Sequence, residues 1–215
     1  MADLFVFDAY GTLFDVHAAV ARHRDAIGPG ADRLSELWRG KQLEYSWVRA
    51  LAGAHRDFWA LTVEALDWAI TRLDGVGAGK REALLGAYRA LDAYADVAPA
   101  LARLKAQGAR TAILSNGSPA MLADAVRSAG LTDLLDAVLS VEAAGVYKTD
   151  ARAYRLVTGH FVCEPADVTF VSSNRWDVAG AARFGFSCVW INRSGQPDEY
   201  RDLPPARVVA SLAAL

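Results

Sequence analysis

The chain has 215 residues, of which 53% are hydrophobic and 22% are charged, and its formal net charge at pH 7 is -2. This length allows one large hydrophobic core, or a core with a smaller lobe attached to it. The sequence contains no basic run and no stretch of about 18 apolar residues, so neither a nucleic-acid partner nor a membrane span is expected.

The first predicted element is a β-strand over "LFVFD", residues 4–8, because a short apolar run of this kind fits a strand buried on both faces. Asp8 ends this run, and a Tyr-Gly-Thr turn follows it after one alanine. Asp3 and Asp8 interrupt the apolar residues near the N-terminus and no basic flank precedes them. A signal peptide is therefore not predicted, and a cytoplasmic location is expected.

Residues 15–92 are predicted to form a helical lobe. Four amphipathic segments follow one another without a strand between them: "HAAVARHRDAI", "RLSELWRGKQLEYSWVRALA", "RDFWALTVEALDWAITRL" and "KREALLGAYRALDAYA". The motif-like "GVGAGK" at 75–80 lacks the first glycine and the final Ser or Thr of a phosphate-binding loop, so we interpret it as a helix connection. We predict one domain over 15–92 and a core made of 1–14 and 93–215.

Strands and helices alternate after residue 92. A helix over 99–108 ends on Gly108, and another begins at Ser118 and Pro119 and stops at Gly130. Three further apolar runs read as buried strands: "TAILSNG" (111–117), "VTFVSSN" (168–174) and "CVWIN" (188–192). This alternation predicts an α/β fold with a doubly wound parallel sheet and an inserted helical lobe.

The cysteines and histidines carry no recognisable chemistry. Cys163 and Cys188 form no CxxC pair and have no nearby histidine pair, so we interpret both as packing residues rather than metal ligands. A serine hydrolase is not predicted, because the sequence has no GxSxG motif. Nor is a histidine found at a predicted strand end with a suitable partner among His17, His23, His55 and His160.

Polar residues collect at the predicted strand ends. In open α/β sheets the ligand site lies beyond the carboxyl ends of the strands, where the strand order reverses. The candidates there, with one lysine from the loop "GVYKTD", are Asp8, Thr12, Ser115, Asn116, Lys148, Ser172, Asn174 and Asp177. Together they are typical of a catalytic site in which carboxylates, a cation, hydroxyls and amides converge.

Each of these residues, taken alone, is also compatible with a structural role. Asp8 could terminate a turn, Ser172 and Asn174 could cap a helix, and Asp177 could complement a helix N-terminus. Lys148 alone would be a solvated surface lysine. Arg39 on the helical lobe would be a snorkelling arginine, and Tyr154 would be a packing residue.

Five motifs resemble the L-2-haloacid dehalogenases of the haloacid dehalogenase superfamily, in that family's order: "FDAYGTLFD", "LWRGKQLEYSW", "LSNGSP", "GVYK" and "FVSSNRWDVAGA". The resemblance covers almost the whole chain. It implies a Rossmann-like core with a helical cap and hydrolytic removal of halide from short L-2-haloalkanoic acids, without a cofactor. It also suggests a homodimer.

The resemblance implies a catalytic set consisting of Asp8, Thr12, Arg39, Lys148, Ser172, Asn174 and Asp177. Within it, Asp8 resembles the nucleophile and Thr12 a residue that orients it. Lys148 resembles the cation that keeps Asp8 ionised. Tyr154, Ser172 and Asn174 resemble its polar support, and Asp177 resembles the residue that orients or activates the hydrolytic water.

The resemblance also implies a substrate- and halide-binding set: Tyr10, Arg39, Phe58, Ser115, Asn116, Tyr154 and Trp176. Arg39 and Asn116 resemble the halide-binding pair, with Trp176 as an apolar wall beside them. Ser115 and the amides after Asp8 resemble the substrate-carboxylate site, whereas Tyr10 and Phe58 would line the pocket. The sequence departs from the family pattern at Ala95 and Thr149, where proline is expected, and at Arg175, which we expect to affect substrate entry.

Two other functions compete with this hypothesis. A magnesium-dependent phosphatase of the same superfamily would carry a second aspartate two residues after the nucleophile, to protonate the leaving alcohol, but that position is Tyr10. Asp8 and Asp177 could still hold magnesium, although Lys148 would compete with it. A non-catalytic carboxylate-binding homologue could dispense with Asp8 or Lys148, and both are present.

Overall fold

The core of the protein is one parallel six-stranded sheet, seen in a computed structural model that describes residues 3–215. Residues 1 and 2 of the predicted core segment therefore lie outside the described residues. The strands are β1 (Leu4–Phe7), β2 (Arg110–Ser115), β3 (Ala137–Ser140), β4 (Val168–Ser172), β5 (Ser187–Ile191) and β6 (Arg207–Val209). They lie in the order β3-β2-β1-β4-β5-β6, and every neighbouring pair is parallel. The predicted doubly wound α/β fold is confirmed.

Nine α-helices are found among the described residues. Five precede β2: α1 (Ala18–Ala21), α2 (Arg24–Ile27), α3 (Ala31–Ala52), α4 (Phe58–Arg72) and α5 (Arg81–Arg89). The other four alternate with the strands: α6 (Val97–Ala106), α7 (Pro119–Ser128), α8 (Ala151–Phe161) and α9 (Arg175–Phe184). No helix in the described part of the chain is long and apolar enough to cross a membrane.

The helix ends follow the local sequence chemistry. The Ser118 hydroxyl accepts a hydrogen bond from the Met121 N–H and begins α7, with Pro119 as its first residue, as predicted. Asp57 accepts a bond from the Ala60 N–H and begins α4 in the same way. Ordered caps of this kind satisfy backbone N–H groups that the first helical turn leaves without a partner.

Two predicted helices are shorter than expected. "HAAVARHRDAI" forms two short helices, α1 and α2, and no residue of α2 is buried, so packing does not hold the segment in one continuous helix. α5 ends at Arg89 because the chain then pairs with the backbone that follows Asp8: Tyr94 N–H donates to Leu13 O, and Asp15 N–H donates to Asp92 O. The chain therefore leaves and re-enters the sheet region at one hydrogen-bonded junction.

Strands β3 and β6 were not predicted. Both lie at the edges of the sheet, and most of their residues are only partly buried or exposed. Their apolar runs are correspondingly short. Burial on both faces, which makes a strand recognisable in a sequence, is confined to the four central strands.

Helices α8 and α9 approach each other closely at Gly180. A Cβ atom at this position would lie 2.5 Å from the Tyr154 hydroxyl and 2.7 Å from the Thr149 Cβ. These contacts are shorter than van der Waals contact, so only glycine fits here without displacing its neighbours. Gly86, in the middle of α5, has no atom within 4 Å of the same point.

We expect Gly180→Ala to lower the free energy of unfolding by about 1–3 kcal/mol through overpacking. Gly86→Ala is the matched control, since both residues lie in helix interiors, and it should stabilise the protein by about 1 kcal/mol through helix propensity. Urea unfolding of both variants measures the difference. Equal effects of the two substitutions would contradict the close approach at Gly180.

Candidate active site

The candidate site lies where the strand order reverses. The chain proceeds from β1 to one side of the sheet and later returns through β4 on the other side, so the carboxyl ends of these adjacent strands form the switch point. Asp8 follows β1, and its N–H donates to Val171 O of β4 at 2.9 Å. The loop after β4 therefore runs directly beside Asp8.

Three side chains hold the Asp8 carboxylate, which is 5% exposed. The Lys148 Nζ lies 3.2 Å from Oδ1, whereas the Thr12 hydroxyl and the Asn174 amide donate to Oδ2 at 2.9 and 2.7 Å. Donors on both oxygens fix the orientation of the carboxyl plane. These contacts are the ones expected of a positioned nucleophile.

Lys148 is completely buried and bridges two carboxylates. Its Nζ lies 3.2 Å from Asp8 Oδ1 and 2.8 Å from Asp177 Oδ2. Burial lowers the pKa of Lys148, but the charges of Asp177 and Asp8 outweigh this effect and leave the pKa above its ordinary value. The side chain is therefore an ammonium group at neutral pH.

Asp177 is also fully buried and lies on the far side of Lys148 from Asp8. Its second oxygen accepts a hydrogen bond from the Tyr154 hydroxyl at 2.8 Å. The pKa of the Asp177 carboxyl is raised to about 6, because burial and the charge of Asp8 outweigh the opposing effects of Lys148 and Tyr154, which favour the ionised form. A carboxyl with a pKa in this range can exchange a proton near neutral pH.

Two residues missed in the sequence support Thr12 from behind. The Ser173 N–H donates to the Thr12 hydroxyl at 2.8 Å, and the Ser173 hydroxyl donates to Gly11 O at 2.7 Å. Arg193 donates to Thr12 O at 3.1 Å and forms an ion pair with Asp96. Ser173 was recognisable as the middle of the "SSN" motif, but nothing in the sequence pattern connects Arg193 with this loop.

The second strand end supplies Ser115 and Asn116, which are both buried. Asn116 Oδ1 accepts a hydrogen bond from the Lys148 N–H at 3.0 Å, so its amide group is left to donate elsewhere. The Ser115 hydroxyl accepts a bond from the Gly117 N–H at 3.1 Å. Similarly, the Ser172 hydroxyl at the end of β4 accepts from the Asn174 N–H at 3.1 Å.

The helical lobe contributes Arg39 from α3 and Phe58 from α4. The Arg39 guanidinium donates to Tyr10 O at 3.3 Å, and the same carbonyl accepts from the Asn174 amide at 3.1 Å. The Phe58 ring lies 6.3 Å from the Tyr10 ring, centroid to centroid. The lobe thus brings one cation and one aromatic ring onto the loop that follows Asp8.

Two expected site residues, Trp176 and Tyr154, and the family departure Arg175 make no direct contact with Asp8. Trp176 packs edge-on against Trp47 of α3, with 5.5 Å between ring centroids. Tyr154 is completely buried and reaches Asp177 rather than an open pocket. Arg175, which we expected to affect substrate entry, is buried and forms an ion pair with Asp198.

The structure also tests the structural interpretations of single residues. Lys148 is not a solvated surface lysine, since it has no exposed area. Asn174 occupies the N-cap position of α9, yet its side chain makes no capping bond and donates to Asp8 instead. Asn174 therefore contacts the carboxylate of Asp8 rather than the end of its own helix.

Comparison with known proteins was made on the sequence and on the fold. The profile of the haloacid dehalogenase-like hydrolases matches residues 2–185. The chain is 48% identical to (S)-2-haloacid dehalogenase 1 of Pseudomonas sp. strain CBS-3 over 214 residues, which cover 98% of this chain and 93% of the relative.

Two solved structures have the same fold over nearly their whole length. A dehalogenase crystal structure superposes with a TM-score of 0.97 at 45% identity and covers 99% of this chain and 95% of its own. The L-2-haloacid dehalogenase of Xanthobacter autotrophicus, solved with chloropropionic acid covalently bound, superposes with a TM-score of 0.89 at 39% identity, covering 99% and 96%.

The electrostatics of the buried cluster can be tested by titration. We expect the Asp177 carboxyl to titrate near pH 6, and we expect Lys148→Met and Tyr154→Phe to raise this pKa, because each removes a partner of the charged form. Carbon-13 NMR of labelled aspartate side chains measures it, with Asp177→Asn to assign the signal. Titration near the ordinary value of 3.8 would contradict this interpretation.

Proposed function

The chain belongs to the haloacid dehalogenase-like hydrolases, and from this membership we propose that it is an (S)-2-haloacid dehalogenase. It hydrolyses short L-2-haloalkanoic acids to D-2-hydroxy acids. The observation that carries the proposal is the buried carboxylate of Asp8, held by Lys148, Thr12 and Asn174 at the switch point of the sheet.

In the first step Asp8 acts as the nucleophile. A carboxylate oxygen attacks C2 of the substrate from the side opposite the halogen, the new C–O ester bond forms, and the carbon–halogen bond breaks. The halide leaves with the bonding electron pair as a stable anion, so this step requires no general acid. Backside attack inverts the configuration at C2.

The negative charge that develops on the halogen requires hydrogen-bond donors. Arg39 from the helical lobe and the amide of Asn116 supply them in this proposal, since Arg39 contacts the loop after Asp8 and Asn116 contacts the backbone of Lys148, the partner of Asp8. Ser115 and the backbone N–H groups after Asp8 bind the substrate carboxylate. Tyr10 and Phe58 line the apolar side of the pocket.

In the second step water attacks the ester carbonyl of Asp8. Asp177 accepts or orients the proton of this water while Lys148, which lies between the two carboxyls, holds them in place. The bond between the Asp8 carboxyl carbon and the substrate oxygen then breaks, and this oxygen takes up the proton that water lost. C2 keeps its inverted configuration. Free Asp8 is regenerated, and one of its oxygens comes from water.

The magnesium-dependent phosphatase does not fit these residues. The Lys148 ammonium occupies the space between Asp8 and Asp177, the two carboxylates that a divalent cation would need. Moreover, Tyr10 is a poor proton donor, because burial raises the pKa of its hydroxyl well above the ordinary value and the group keeps its proton at neutral pH. An alcohol leaving group would therefore lack its acid.

We further propose that residues 15–92 act as a cap domain over a core formed by 1–14 and 93–215, and that the enzyme is a cytoplasmic homodimer. The cap assignment is supported by Arg39 and Phe58, which reach the site from α3 and α4. The homodimer is supported by an exposed apolar face near the end of α3, formed by Trp47, Val48 and Leu51. The solution mass tests it.

The proposed reaction predicts both product and cofactor requirement. Halide should be released from L-2-chloropropionate, with D-lactate as the product, and the rate should persist in EDTA. Ion chromatography and chiral analysis measure the products, and a phosphate monoester with added magnesium is the control substrate. Retention at C2, or phosphatase activity without dehalogenation, would overturn the proposal.

Substitutions should show that Asp8 and Asp177 act in different steps of the reaction. Asp8→Asn should release no halide, whereas Asp177→Asn should still form the ester but hydrolyse it slowly, because the water loses its basic partner. Intact-protein mass spectrometry after mixing with substrate should show the adduct only in Asp177→Asn, and peptide mapping should assign it to Asp8. An adduct on another residue would contradict the mechanism.

A further inference from the structure

A chain of buried polar side chains crosses the interior of the helical lobe. Gln42 on α3, Thr62 on α4 and Tyr88 on α5 are each at most 2% exposed. The Tyr88 hydroxyl donates to Gln42 Oε1 at 3.2 Å, and Gln42 Nε2 donates to the Thr62 hydroxyl at 3.1 Å. These three residues, here called the cap network, connect α3, α4 and α5 through buried hydrogen bonds.

The cap network lies directly behind the two lobe residues of the proposed site. The Thr62 hydroxyl donates to Phe58 O at 2.8 Å, which ties the network to the start of α4. Arg39 is one helical turn before Gln42 on α3. The neighbouring Trp38 donates its indole N–H to Thr62 O at 2.8 Å, so the α3 segment on either side of Arg39 is fixed to α4.

Tyr88 extends this arrangement to the loop after Asp8. Its ring stacks on Tyr10, with 5.8 Å between centroids and 15° between ring planes, and Tyr10 O is the acceptor for Arg39. Burial raises the pKa of Tyr88, and the nearby charge of Arg39 lowers it.

Stability alone does not account for a buried polar chain of this kind. Apolar side chains of similar volume are usually as stabilising in a helical core, whereas a polar network demands one relative alignment of the helices to satisfy its bonds. Sliding α3 by a single residue would displace Arg39 by about 1.5 Å along the helix and rotate it away from Tyr10 O. Such a displacement would break the hydrogen bonds of Gln42 with Thr62 and Tyr88, so the cap network opposes it.

We propose that Gln42, Thr62 and Tyr88 are positioning residues that hold Arg39 at the depth required for halide binding. This inference rests on the proposed function, in which Arg39 stabilises the departing halide. The cap network should therefore affect the turnover number and the halide affinity, both through Arg39. It should contribute little to the free energy of unfolding.

The test replaces the whole network by apolar side chains, in the triple variant Gln42→Leu, Thr62→Val, Tyr88→Phe. No buried donor or acceptor of the network is then left unpaired, so the melting temperature should change little. The turnover number should fall by about tenfold or more, and inhibition by chloride or bromide should weaken by a similar factor. Ser46→Ala is the matched control, since Ser46 is buried on α3 but bonds only within that helix.

A second comparison shows whether the effect passes through Arg39. In an Arg39→Lys background, the triple substitution should change halide inhibition by less than about twofold, because coupled residues are not additive. Full additivity of the two changes would overturn the inference, as would a triple variant with unchanged turnover and halide inhibition.

The single variant Tyr88→Phe keeps the ring stack and decides the question if the triple variant does not fold. Its halide inhibition should weaken by about threefold or more, and an unchanged value would overturn the inference. Failure of the proposed function can be distinguished from failure of this inference, because in the first case the unmutated enzyme would release no halide from any 2-haloacid.

Discussion

The ammonium group of Lys148, buried between Asp8 and Asp177, is the interaction on which the site depends. Three charges that are buried or nearly buried are tolerable only because each lies within hydrogen-bond distance of an opposite one. The remaining carboxylate oxygens accept bonds from Thr12, Asn174 and Tyr154. Removing the lysine would leave two buried carboxylates facing each other, and one of them would then have to bind a proton.

The charge of this cluster also explains why the helical lobe must reach the site. Two carboxylates and one ammonium sum to a net negative charge, and the substrate carries a carboxylate of its own. An anion would be repelled from such a site unless another cation approached it. Arg39, on α3, is the lobe residue that supplies this charge beside Tyr10 O.

Much of this arrangement could be predicted from the sequence, because the end of a buried strand is recognisable as the point where an apolar run gives way to polar residues. Asp8 and the "SSNRWD" segment each follow an apolar run, and the rule for open α/β sheets brings such ends together. The cap network could not be predicted in this way. Gln42 and Thr62 occur within amphipathic helices, where polar residues ordinarily face solvent, and only the packing of three helices shows that both are buried. Edge strands β3 and β6 were missed because partial burial weakens the apolar pattern.

The junction at which the chain leaves the sheet region and returns has a consequence for chain entropy. Tyr94 bonds to Leu13, and Asp15 bonds to Asp92, so the ends of the intervening segment meet within hydrogen-bond distance. A closed excursion of this kind costs loop-closure entropy that grows only with the logarithm of its length. Strands β1 and β2 can therefore pair in their native register whatever the length of the segment between them. Excursions of other sizes could occupy the same junction without disturbing Asp8.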